Sequence, residues 1–169
     1  MACNNLIDLT QGACENNSGG IFTAYIFDMD DVSTYTYSTT TWEVTGLTLS
    51  STASQFEFRR NTSNYTEDSA IDLVNGSTYI NGTLNFVFHR REAAKSRAIN
   101  ILGEGQRYLG VVIGDANGKF WYFPNAQVSA TGEGSGTARA DASKYSVTMI
   151  AENNNLAYEV PSAIAATLI

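Results

Sequence analysis

Residues 107–123 constrain this chain more than any other stretch. Tyr108, Leu109, Val111, Val112 and Ile113 lead into Asp115, Ala116, Asn117 and Gly118, and the chain returns through Phe120, Trp121, Tyr122 and Phe123. Asn-Gly between two β-prone runs is a strong hairpin signal, and a type I′ turn there needs positive φ at both central residues. A strand with one wet face alternates apolar and polar side chains. Neither arm of this hairpin does so, and both faces of the ribbon therefore need cover. One cover is the chain's own core. The other is either its one convincing helix or a second copy of the chain.

The remaining sequence supplies more strands. At 169 residues the chain suits one domain with a real core, and its repeated runs of Tyr, Phe, Thr and Val, with only two prolines, predict a mainly β fold. Residues 1–20 form a polar arm with Leu6, Ile7 and Leu9 as its only anchors. A domain follows over 21–160, and 161–169 is an Ala-rich tail expected to order only in an assembly. The run 21–27 is a strand ending in Asp28, Met29, Asp30 and Asp31. That cluster lacks the glycine and distal glutamate of a calcium loop, so it is an acidic turn. Residues 34–38 and 41–50 are extended. In 54–62, Phe56 and Phe58 point one way, and Gln55, Glu57 and Arg59 the other. The runs 65–74 and 77–88 pair through Asn75 and Gly76, with Gly82 marking a bulge or break. A helix spans about 90–104, with Ala94, Ala98, Ile101 and Leu102 as its buried stripe. Residues 131–136 read as a flexible loop before a last long strand, 145–150.

The chemistry of catalysis is thin. His89, the single histidine, ends an apolar strand and reads as structural, with its hydrogen bonds satisfied. There is no G-x-S-x-G elbow, and Gly132, Gly134 and Gly136 surround a glutamate between strands rather than opening a helix. We therefore expect no enzymatic activity, no cofactor and no metal, and reduced Cys3 and Cys14. No apolar run is long enough to span a membrane, and the N-terminus lacks the basic start and apolar core of a secretory signal. Residues 1–58 contain seven acids and no lysine or arginine, equal to the whole net charge of −7; the other 111 residues balance ten acids with ten bases. Such a chain has no broad basic footprint for gripping nucleic acid.

Both ends carry a resemblance. Met1, Ala2 and Cys3, the run Leu9, Thr10, Gln11, Gly12, then Cys14, Gly19, Gly20, Ile21, Tyr25, Asp30 and Asp31 resemble the start of tail tube proteins of phages infecting Bacteroidota. The order of a helix, an Asp-x-Asn-Gly hairpin, the stretch 131–138, Asp141, and Lys144, Tyr145, Ser146, Val147, Thr148 resembles that family's C-terminal part. Residues 32–85 match only in being β-rich, and Ala142 and Ser143 stand where the family has glycine before the tyrosine.

The resemblance implies an antiparallel β-sandwich or small barrel with one flanking α-helix, shared with the tubes of type VI secretion. It implies hexameric rings in which paired strands close an inner barrel, and rings that stack through loops and the N-terminal arm. The partners implied are copies of the chain itself, the tape-measure protein, DNA passing without sequence-specific binding, and tail terminator, baseplate and sheath proteins, with no membrane. The implied location is the virion tail, assembled in the host cytoplasm. An acidic wall would repel DNA and let it slide. On this reading Glu57, Asp28, Asp30, Asp31 and Glu43 are candidates to face the lumen or a ring–ring contact, Glu57 first for the lumen. Two alternatives are a capsid decoration or other structural virion protein, and a carbohydrate-binding sandwich. The latter would use Trp42, Trp121 and Tyr122, set against the ordinary role of such rings in core packing.

Overall fold

The computed structural model describes residues 7–9 and 17–169. Cys3, Cys14 and most of the arm 1–20 lie outside the described residues. The fold is mainly β, a curled sheet forming a half-barrel. Its strands are β1 (Ile21–Asp28), β2 (Val32–Ser38), β3 (Glu43–Leu49), β4 (Ser54–Glu57), β5 (Asn64–Asp72), β6 (Ser77–His89), β7 (Leu109–Asp115), β8 (Phe120–Gly134), β9 (Lys144–Asn153) and β10 (Tyr158–Val160). Helix α1 (Ala93–Gly103) precedes β7, and α2 (Ser162–Ala165) follows β10.

The strand β8 belongs to two leaves. Its first half lies between β7 and β10 in a leaf ordered β2-β3-β10-β8-β7-β1-β4. Its second half pairs with β9, which pairs with β6, which pairs with β5. Between the halves lie Pro124, which offers no N–H, and Asn125 at φ 55. A residue type that tolerates the left-handed region lets the strand turn there.

The ribbon β7–β8 sits at the centre. Val111, Val112 and Ile113 are all fully buried, although alternate side chains face opposite ways. Val111, Ile113, Phe123 and Ala126 pack with Leu84 and Phe86 of β6, Val147 and Met149 of β9, and Ile99 and Leu102 of α1. Val112 and Tyr122 pack the other way, with Tyr25, Phe27, Val44, Leu47, Val160, Ala165 and Leu168. The second cover is thus neither the helix nor another copy. It is the C-terminal tail together with the β2–β3 hairpin. The tail is ordered within the single chain, and the Ala53 N–H donates to the Leu168 carbonyl at 2.7 Å.

Several local expectations give way to tertiary contacts. The hairpin turn has positive φ only at Gly118, because the Asp115 carboxylate accepts from the Asn117 and Lys119 N–H groups and holds a type I turn closed by that glycine. Gly82 makes no bulge: β6 pairs regularly with both neighbours there, and a Cβ would lie 3.3 Å from the Phe123 ring and from the Ala151 carbonyl. The helix buries Ile99 and Leu102 and exposes Ala94 and Ile101. It is held in that rotation by Ser96, whose hydroxyl meets that of Tyr145 at 2.5 Å, and by Lys95, which donates to the His89 carbonyl. Residues 131–134 are strand, not loop.

These contacts make the tail part of the core of the isolated chain. Leu168→Ala should destabilise it by about 2–5 kcal/mol in urea unfolding, the usual range for a buried leucine. A tail that ordered only on assembly would leave the isolated chain's stability unchanged.

Candidate assembly surface

The five acids singled out in the sequence do not converge. Asp28, at the end of β1, faces Arg107 at 3.4 Å and accepts from the Asp30 N–H. Asp31 accepts from the hydroxyls of Ser50 and Ser51, at 3.1 and 2.6 Å, and so ties the turn after β1 to the turn after β3. Asp30 is exposed beside them. Glu43 lies at the opposite end of the leaf, in register with Glu159, whose carboxylate takes the Lys119 ammonium at 2.5 Å. Glu159, with smaller help from Glu43 and Asp115, holds that ammonium above its usual range. Glu57 is exposed on the edge strand β4, opposite Thr23. Among the described residues no three acids, histidines or cysteines cluster as a metal site. His89 sits at the end of β6, and its Nε2 has no hydrogen-bond partner, contrary to the expectation of a satisfied histidine.

The second leaf offers a more organised surface. Its inward positions fill the core, so the register places Asn64, Thr66, Asp68, Asn81, Thr83, Asn85, Ser146, Thr148 and Glu152 on the outward face. The face is predominantly polar and mostly uncharged, with Tyr79, Val87 and Ile150 as its large apolar members by the same register. Its charged members are Asp68, Asp72 and Glu152 against Lys144. Both edges of this leaf are open among the described residues: β5 pairs only with β6, and the second half of β8 only with β9. Unpaired backbone donors and acceptors on such edges are templates for another chain.

Two features flank the leaf. At one end the β5–β6 hairpin carries Ile71, Leu73 and Val74, which are 63%, 91% and 93% exposed. On the inward side of that hairpin, Glu67 accepts from the Ala157 N–H at 2.7 Å, and partial burial raises its carboxyl above the usual range despite that bond. At the other edge lies an open groove of about 670 Å³ lined by Tyr108, Asn125, Gln127, Val128, Ser129, Ile150 and Glu152. A separate aromatic groove joins Tyr35, Tyr37 and Tyr158 to Asn153, Asn154 and Asn155. Trp42 stacks on Tyr158 at 4.7 Å at its rim. Burial, ahead of the neighbouring tyrosines, pushes the Tyr35 hydroxyl up to about 12, so it stays a donor. Tyr122 is fully buried, and Trp121 is half-buried with its Nε1 donating to Asp115. No helix among the described residues is long and apolar enough to cross a membrane.

No protein-family model matches the chain, and no curated protein matches it. Among solved structures it is similar to a chain of the 6-fold symmetrised cryo-EM structure of the anti-feeding prophage baseplate. The identity is 10%, the TM-score 0.44, and the match covers 82% of this chain and 95% of that one.

The raised Glu67 carboxyl has a definite sign. An acid with a higher pKa folded than unfolded favours the folded state fully at low pH, and that contribution is lost as pH rises from the unfolded value through the folded one. Glu67→Gln keeps the acceptor for Ala157 but cannot ionise. Its melting temperature should therefore gain on the wild type as pH rises through and above the ordinary carboxylate range. A constant gap across that range would show that ionisation of Glu67 is not opposed by the fold.

Proposed function

We propose that this chain is a structural, non-catalytic virion protein, a subunit of a phage tail tube that assembles as rings. The observation that carries the reading is the second leaf, with its two open edges and polar outward face. Its four strands run antiparallel in the order β8, β9, β6, β5, so the outermost two run in opposite directions. The open edge of β8 from a neighbour in the same orientation therefore meets β5 antiparallel and continues the alternation. A head-to-tail contact of this kind closes into a ring when its rotation divides a full turn, and closure leaves the second leaf without an edge.

In such a ring the outward face of the second leaf becomes the inner wall. Asparagine, threonine and serine wet that wall without fixed charge, and Asp68, Asp72 and Glu152 give it a slight acidic balance over Lys144. DNA carries about one negative charge per ~1.7 Å of helix axis, and a wall of this character offers it no counterion release. These three acids are our candidates for the lumen. Glu57, on the edge of the first leaf, is better placed for a contact between copies. Tape-measure, terminator, baseplate and sheath proteins are the partners such a tube would meet.

A second reading, a glycan-binding module, is favoured by the aromatic groove with its three asparagines. One experiment separates the two. The purified full chain, concentrated and imaged in negative stain, should show rings or short tubes. A stable monomer with glycan-array hits that Trp42→Ala abolishes would overturn the tube reading in favour of the groove. Antibody labelling of heads rather than tails would point to capsid decoration.

A further inference from the structure

The sequence holds three Asn-Gly pairs: Asn75 with Gly76, Asn81 with Gly82, and Asn117 with Gly118. Such a pair is chemically vulnerable. With no Cβ on the second residue, its backbone nitrogen reaches the asparagine side-chain carbonyl carbon with little obstruction. We propose that Asn75, alone of the three, is a site of spontaneous covalent modification in the folded chain, closing to a succinimide and opening to aspartate and isoaspartate.

In the first step the Gly76 nitrogen gives its proton to solvent base and attacks Asn75 Cγ. The N–Cγ bond forms, the Cγ–Nδ2 bond breaks, and the side-chain nitrogen leaves as ammonia. Water then opens the five-membered ring. Attack at Cγ yields aspartate. Attack at the backbone carbonyl of residue 75 leaves the chain running through Cγ, as isoaspartate. The reaction is intramolecular and needs no second copy of the chain, so it stands apart from the tube reading.

The fold separates the three pairs, because ring closure needs an unengaged nitrogen and a segment able to reach the attack geometry. Asn81 lies inside β6, which pairs regularly with β5 on one side and β9 on the other. Gly82 is buried there, against the Phe123 ring and the Ala151 carbonyl. Asn117 is exposed but held. The Gly118 N–H donates to the Asp115 carbonyl at 3.1 Å. The Asn117 side chain accepts from the Ser18 N–H at 2.8 Å and donates to Asn17 at 3.3 Å.

The β5–β6 turn differs on each count. Residues 73–79 are all exposed, and nothing lies within 4 Å of where a Gly76 Cβ would sit. The Gly76 N–H has no acceptor among the described residues. Asn75 is restrained by Asp72, whose carboxylate takes the Val74 and Asn75 N–H groups at 2.9 and 3.1 Å and the Asn75 amide at 2.6 Å. That restraint belongs to the same exposed turn and opens when the turn does. Modification then undoes it. A carboxylate at position 75 cannot donate to Asp72 and repels it. Isoaspartate also lengthens the backbone of a turn whose length sets the β5–β6 register.

Incubating the folded full-length chain in heavy-oxygen water tests the assignment, with fragment-ion mass spectrometry reading solvent oxygen at each Asn-Gly pair. In urea, where no fold restrains them, the three asparagines should take up label at similar rates. In the folded chain Asn75 should stay within a few-fold of its urea rate, while Asn81 and Asn117 each slow by about tenfold or more. Labelling of Asn117 as fast as that of Asn75 overturns the proposal, as does an Asn75 protected by the fold as well as Asn81.

Discussion

The structure depends on burying one ribbon from both sides. Every other element is placed by that need. β7 carries no polar side chain between Leu109 and Ile113, and its three central residues are fully buried. A single second layer leaves one face of such a ribbon wet. The chain supplies two: the second leaf with α1 on one side, and the β2–β3 hairpin with α2 and the residues after it on the other. The two clusters share no residue, yet both run through β7 and β8. A change in the ribbon is therefore felt in both. Gly110 shows how little slack remains, since a Cβ there would lie 2.2 Å from the Phe27 ring.

The long strand β8 converts this internal arrangement into an external one. Because its first half is enclosed by β7 and β10, its second half leaves the first leaf at Pro124 with one edge bare. The bare edge of β8 thus follows from that bend, while the bare edge of β5 follows from its being the last strand of the second leaf.

Much of this was legible in the sequence where local rules decide the outcome. Both Asn-Gly turns fall where expected, the alternation at Phe56 and Phe58 reports true inward positions, and the run 145–150 is a strand. What was missed is set by partners distant along the chain. The tail 161–169 is short and Ala-rich, so nothing in its pattern announces that Ala165 and Leu168 finish a core begun at Tyr25. Gly82 looks like a bulge because the sequence does not show Phe123 arriving above it. The helix stripe is rotated by Ser96 and Lys95, polar residues whose partners lie outside the helix. The acid-rich first third suggested one acidic face, but Asp28, Asp31 and Glu43 are dispersed to three separate tasks by the strands that carry them.

The dispersal changes what acidity can mean here. Asp28 and Asp31 are occupied by an arginine and by two serine hydroxyls, and neither presents an unengaged charge to a passing polyanion. Asp68 and Glu152 have no such partners among the described residues and stand on one continuous polar face. Exposed large apolar side chains lie at the tip of the β5–β6 hairpin and at Tyr108, and also at Phe22, Tyr37, Trp42 and Leu156 on the first leaf and its loops, while the outward face of the second leaf carries Tyr79, Val87 and Ile150 among its polar residues. On the proposed tube reading, a few unengaged acids on an otherwise neutral wall would suit a conduit better than a dense acidic patch, because dense like charge would also repel neighbouring copies and oppose ring closure.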